Sequence, residues 1–241
     1  MSCSPFAQVE FLESVKPLLG LPVSHTWQGY GSAIFLELGE LSPASEGRHS
    51  YSRGQACIWV QWDWRVERGV SVLFGSSEGR PSIQRGLASL EGTCVQSIAV
   101  SGEVPELQVE FSNGLRLRSM VMAAGDPQWT IRLQGGDYIV VKSGVLASRD
   151  DRPELDAEEL AIFALADRTG LRWGVPREGV SQGACSDCGW FIQLDGQGSL
   201  LDYGACSSPR SPFDGRVVNR ASGCSAHSGV ATSQSDTTSS V

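Results

Sequence analysis

Four cysteines near the C-terminus, Cys185, Cys188, Cys206 and Cys224, are spaced C-x2-C-x17-C-x17-C, with His227 three residues after the last. Two thiolates separated by two residues fit one tight turn and can seat a metal, and two more distant thiolates can close its shell. Three arrangements of the four sulfurs are open at this level. A four-thiolate zinc site would be structural, because a closed shell leaves no position for a reacting water. A [4Fe–4S] cluster takes the same four ligands, with Trp173, Trp190, Phe191, Tyr203 and Phe213 at hand to shield it. Two disulfides, or four independent buried thiols, make the third. His227 is a possible substitute for one of the cysteines; otherwise it opens an exposed tail.

The elements around these cysteines are short. Glycines flank each of them: Gly183 and Gly189 bracket the first pair, Gly204 precedes Cys206 and Gly223 precedes Cys224. Metal-binding turns favour such residues because backbone amides must turn toward sulfur. Trp190-Phe191-Ile192 predicts a strand, Asp195-Gly196-Gln197-Gly198 a turn, and Leu200 to Tyr203 the returning arm. Upstream, Asp156-Ala157-Glu158-Glu159 reads as a capping box that opens a helix. Leu160, Phe163 and Leu165 form its apolar side, and Gly170 stands where the helix would end.

The run from Arg172-Trp173-Gly174 through the cysteines, including Ser211-Pro212-Phe213-Asp214-Gly215-Arg216-Val217-Val218 and Gly223-Cys224-x2-His227, resembles a cysteine-bearing segment of uncharacterised bacterial proteins. The segment up to Leu133 is similar to other uncharacterised bacterial proteins. The ligand pattern also resembles that of high-potential iron–sulfur proteins: a CxxC-x-aromatic start, a Gly-x-Cys third ligand and a final Gly-rich cysteine. That second likeness implies a [4Fe–4S] cluster and electron transfer. In this chain the gaps are longer, and Pro212 and Gly215 are separated.

The first 148 residues read differently. Ser4-Pro5 starts like a capped helix, and Phe6, Val9, Leu12 and Val15 stripe it. Period-two alternation follows. Ile34 to Leu38, Ile58 to Trp64 and Val70 to Phe74 predict strands, and Leu107 to Phe111, Ser112-Asn113-Gly114 and Leu115 to Arg118 predict a hairpin. Leu19-Gly20-Leu21-Pro22-Val23 echoes Leu90-Glu91-Gly92-Thr93-Cys94-Val95, and each leads to a tryptophan-bearing strand, at Trp62-Asp63-Trp64 and at Trp129. The echo reads as a duplicated β unit of about 70 residues or as two unrelated meanders. Trp59, Trp62 and Trp64 offer a binding platform, although strands and cores favour tryptophan in any case. Cys57 and Cys94 read as small core residues.

Composition narrows the function. A net charge of −8 and a pI near 4.9 argue against duplex nucleic acid, which needs clustered Lys and Arg. No run reaches the roughly 18 apolar residues of a membrane span. The start Met1-Ser2-Cys3-Ser4-Pro5 lacks a secretory signal, which points to the cytoplasm, where close cysteine pairs serve as metal ligands more often than as disulfides. His25 and His49 lie in turn-like segments, and no HExxH, Walker or nucleophile-elbow motif occurs. The expected fold is α+β: a mainly antiparallel β domain over 1–148, then a short helix with the four-cysteine metal module over 149–228. A disordered Ser/Thr-rich tail follows over 229–241. The expected role is that of a soluble, non-enzymatic binding or adaptor protein with a structural zinc site. By analogy, such a protein could serve immunity or defence. The alternative is electron transfer or redox sensing on an iron–sulfur cluster. The partner in the first case is another protein.

Overall fold

A computed structural model describes residues 8–46, 49–122, 127–142, 145–149, 157–179 and 181–229. The chain divides into two compact units, Met1–Glu154 and Leu155–Val241. The division falls six residues after the expected boundary at 148, because a strand, Val145–Arg149, occupies that position. The proposed cap at Ser4-Pro5 and at Asp156, Cys3, the pair Asp150-Asp151 and most of the tail lie outside the described residues.

The first unit is built from helix α1 (Gln8–Val15), helix α2 (Arg80–Ala88) and antiparallel strands. These are β1 (Val23–Gln28), β2 (Ile34–Leu38), β3 (Ser42–Glu46), β4 (His49–Arg53), β5 (Ala56–Val60), β6 (Asp63–Arg68) and β7 (Ser71–Gly75), followed by β8 (Val95–Ser101), β9 (Glu106–Phe111), β10 (Arg116–Met120), β11 (Trp129–Arg132), β12 (Tyr138–Lys142) and β13 (Val145–Arg149). One sheet runs β1-β2-β5-β11-β12-β13 and the other β7-β6-β10-β9-β8, with β3 and β4 as a separate hairpin. The predicted hairpin is β9–β10: Leu107, Val109, Phe111, Leu115 and Leu117 are all buried, and Gly114 takes φ +78° in the turn. Residues of both sheets and both helices join in one core, which includes Phe11, Ile58, Trp64, Leu87 and Trp129.

The two sheets exchange strands. Read from β8, the second sheet runs β8-β9-β10-β6-β7, matching β1-β2-β5-β11-β12 of the first. Each half opens with a helix and gives three strands to one sheet, then crosses to the other, where the first half adds β6 and β7 and the second adds β11, β12 and β13. The echoed segments meet at the junction. Gly20 N–H donates to Val95 O at 2.8 Å, Val95 N–H to Leu21 O at 3.0 Å and Val23 N–H to Thr93 O at 2.7 Å. The tryptophans that open each crossing strand region are also alike. Trp64 and Trp129 are fully buried, and each indole N–H donates to a hairpin carbonyl, Ser32 O at 2.7 Å and Pro105 O at 2.9 Å.

The crossing corrects the sequence reading at Ile58 to Trp64, which is two strands in different sheets. The chain bends at Gln61-Trp62, where Gln61 N–H donates to Gln128 O at 2.9 Å. Val60 and Trp64 face the core, whereas Trp62 lies exposed at the bend. Trp59 stands in an outward aromatic row across three strands, stacked through Phe35 to Trp27 at centroid distances of 5.1 and 3.7 Å. Helix α2 has no counterpart in the sequence reading. His25 lies on β1 rather than in a turn, with Nδ1 3.5 Å from Glu91 Oε1, and His49 opens β4.

The second unit contains helix α3 (Ala157–Trp173) and a small antiparallel sheet of β14 (Phe191–Gln193), β15 (Tyr203–Cys206) and β16 (Val217–Asn219), in that order. The expected end of α3 at Gly170 is corrected. The helix runs to Trp173, and Gly174 leaves it with φ +67°, the left-handed conformation that glycine adopts at a C-terminus. Gly170 serves packing, since a Cβ there would lie 3.2 Å from Ser199 Cβ. The buried face is Ala166, Thr169 and Gly170, while Leu160 and Leu165 point outward. The expected arm Leu200 to Tyr203 is mostly a 3-10 turn, Gly198–Asp202, that precedes β15. Tyr203 joins sheet to helix: its hydroxyl donates to Gly170 O or Gly174 O, at 2.6 and 2.9 Å, two carbonyls near the helix end.

Candidate metal centre

The four cysteines reach one place from three stretches of chain. Cys185 opens a 3-10 turn, Cys185–Asp187, and Cys188 N–H donates back to Cys185 O at 3.1 Å. That turn is anchored from below by Cys185 N–H to Ser222 O at 2.7 Å and Ser186 N–H to Arg220 O at 2.8 Å. Cys206 ends β15, in register with Phe191 of β14. Its backbone is clasped by the loop before β16: Cys206 N–H donates to Arg216 O at 3.0 Å and Gly215 N–H to Cys206 O at 2.9 Å. Cys224 begins a second short turn, closed by His227 N–H to Cys224 O at 3.3 Å. Gly223 must be glycine here, because a Cβ would fall 2.7 Å from Gly183 O and nearer still to Ser181 Oγ.

Cys185, Cys188, Cys206 and Cys224 together line a single cavity, with Phe191 and His227 also on its wall. Its volume of about 10 Å³ is the room of one water-sized sphere. Cys185, Cys206 and Cys224 are buried, and Cys188 is half-buried at the rim. All six described cysteines carry free thiols. Burial pushes the Cys185 thiol up to about 11, and the neighbouring Cys188, Cys206, Cys224 and Asp187 add to the rise. Ser211 Oγ lies 3.4 Å from Cys224 Sγ, a hydrogen bond that either atom can donate. Among the described residues, no group of three or more His, Cys, Asp and Glu side chains is set to hold a metal ion as it stands. The thiols share a cavity, and they would have to draw together to share an ion.

His227 is 11% exposed, with Nε2 3.0 Å from Asp187 Oδ1, so its ring is tied to the first cysteine turn rather than loose at the head of a tail. Of the five aromatic residues expected to shield the site, Trp190 and Phe191 line the cavity. Phe213 belongs to the same buried cluster. Trp173 instead packs edge-on against Tyr203, at 5.3 Å between centroids.

Two charged groupings in the first unit escaped the sequence reading, since each draws members from two strands far apart in sequence. Glu67 is ringed by Arg65 at 3.0 Å, Arg116 at 3.5 Å and Arg118 at 3.7 Å. Burial acts to raise its carboxyl, but the Arg65 hydrogen bond and the three positive charges outweigh that and hold it below the usual range. Glu37 and Arg132 form a buried pair at 3.0 Å. Beside it, burial and the Glu37 charge push the Cys57 thiol far up, as expected of an inert core cysteine.

Residues 172–231 match a family described as a protein of unknown function (DUF3027). All four cysteines and His227 fall within the match. No curated protein and no solved structure matches the chain. Among the described residues, no helix is long and apolar enough to cross a membrane.

Proposed function

We propose that the segment around Cys185, Cys188, Cys206 and Cys224 is a structural zinc module, and that the chain is a non-enzymatic binding or adaptor protein whose partner is another protein. The reading rests on one observation: thiols from three separated stretches line a single cavity. Zinc is preferred to a [4Fe–4S] cluster because the CxxC turn and two further thiolates suffice for a closed four-sulfur shell around one ion. Four thiolates would complete a tetrahedral shell, so the work of the ion is to hold the turns together. An exposed apolar stripe supports the adaptor role. Ile192 of β14 and Val217 of β16 stand 61% and 41% exposed, with Ala205 of β15 between them in register.

Elemental analysis of protein purified without oxygen tests the metal. Colourless protein with one zinc per chain is expected; brown protein with about four irons per chain would replace zinc by the cluster. The adaptor role is tested with Ile192→Glu/Val217→Glu. Capture of a specific partner by the parent chain and its loss in the variant is expected, and equal capture by both would overturn the stripe as the docking surface.

A further inference from the structure

We infer that His227, oriented by Asp187, is a reserve ligand that takes the metal when the rim thiolate of Cys188 leaves. This rests on the zinc reading above and goes beyond it, because it makes one of the four positions exchangeable and says which one. Cys185, Cys206 and Cys224 are buried residues, whereas Cys188 is half-buried. His227 is drawn to the same rim from the far end of the segment. Gly189 N–H donates to Ser228 O at 2.7 Å, and Cys188 pairs with Gly229 in an antiparallel bridge, so the chain on either side of Cys188 and of His227 runs together. The ring lines the cavity beside the four cysteines.

The state of the ring suits this role. A carboxylate only accepts hydrogen bonds, so Nε2 carries the hydrogen that it gives to Asp187 Oδ1 at 3.0 Å, and in the neutral ring Nδ1 keeps its lone pair. Metal-binding histidines are set in the same way, with the far N–H held by a carboxylate that fixes tautomer and orientation. The ring also rests against bare backbone: a Cβ on Gly183 would lie 2.6 Å from Cε1 and Nε2. Ligand exchange would proceed without redox change. With zinc bound, the Cys188 sulfur would leave the ion and take a proton from water, and the Nδ1 lone pair of His227 would replace it, so that the site would pass from four thiolates to three thiolates and one imidazole. A thiol freed in this way is open to alkylation or oxidation while the metal stays in place.

The test uses the full chain, stripped of metal and reloaded with Co²⁺, whose visible bands report tetrahedral geometry and whose sulfur-to-cobalt absorption reports the number of thiolates. The parent chain is expected to give a four-thiolate spectrum; no such spectrum would sink the zinc reading and this inference with it. Cys188→Ser is expected to keep one tetrahedral Co²⁺, with sulfur-to-cobalt absorption falling to about three quarters. Adding His227→Ala to that variant should abolish the tetrahedral bands. Adding Asp187→Asn should weaken Co²⁺ binding about 10- to 100-fold, the usual effect of losing such an outer partner. In a Cys206→Ser background His227→Ala should change nothing, because the ring serves the rim position alone. Equal Co²⁺ binding by Cys188→Ser with and without His227 would overturn the reserve role, even where the parent spectrum is as expected. Alkylation avoids any folding defect of the variants. Iodoacetamide on the zinc-loaded parent should modify Cys188 with zinc retained, whereas His227→Ala should release zinc on the same modification; retention in both would overturn the inference.

Discussion

If the cysteine segment holds zinc as proposed, removing the metal should unfold that segment and leave the first unit folded. In the segment 172–229 the buried apolar side chains other than cysteine are Tyr203, Phe213 and Val218. At about 1.5–3 kcal/mol each they supply roughly 5–9 kcal/mol. Structural zinc in small thiolate modules contributes about 10–16 kcal/mol at neutral pH, so a bound zinc ion would outweigh this apolar core. The first unit is the opposite case, with 28 buried residues in one cluster. Hydrogen exchange followed by mass spectrometry, with and without a strong chelator, reads both units in one sample. The amides that hold the site, those of Cys185, Ser186, Cys206 and Gly215, should lose protection on chelation, while those of β2, β5, β9 and β10 keep it. Unchanged protection at Cys185 and Cys206 in the zinc-free chain would refute the reasoning, because the segment would then be holding itself.

Other outcomes are expected. Because the Cys185 thiol is pushed up to about 11, it is protonated at pH 7 and, on the zinc reading, would release its proton to the solution on binding the ion. Zinc affinity should therefore rise with pH, about tenfold per unit for each proton released, measured by competition with a chromophoric chelator between pH 6 and 8. Arg132→Met leaves the buried Glu37 carboxylate without its cation and should cost about 3–5 kcal/mol in urea unfolding. Adding Glu37→Gln should recover part of that. Gly86→Ala, normally a gain in a helix, should destabilise by about 1–3 kcal/mol in thermal melts, since the new Cβ would lie 2.5 Å from the Phe74 ring. Tyr203→Phe removes the hydroxyl that bonds Gly170 O and Gly174 O and should cost about 1–3 kcal/mol, with faster exchange in the last turn of α3.

What the sequence discloses here follows from how local each signal is. The β9–β10 hairpin is legible because Asn113-Gly114 and the alternation on either side act within a dozen residues. The break at Gln61-Trp62 is hidden because alternation continues through it: Val60 and Trp64 both face the core although they belong to different sheets. Helix α2 is obscured by Pro81 and Gly86, which read as breakers, and by a buried face of only Ile83 and Leu87. The cysteines announce themselves by type and spacing. The Asp187–His227 bond does not, since its partners stand 40 residues apart and neither is unusual alone. The aromatic row of Trp27, Phe35 and Trp59 is hidden likewise, each member lying on a different strand.

The exchange between the sheets also bears on how such a chain is made. During synthesis, β5 has an open edge until Trp129 to Arg132 have left the ribosome, and β6 waits for β10. Each half carries strands that pair with an edge of the other half's sheet. A single half in solution would present the naked edge of β5 or β10, and a second copy of itself is a natural molecule to cover it. In that light each sheet of the first unit is completed only by strands from the far side of the chain's midpoint.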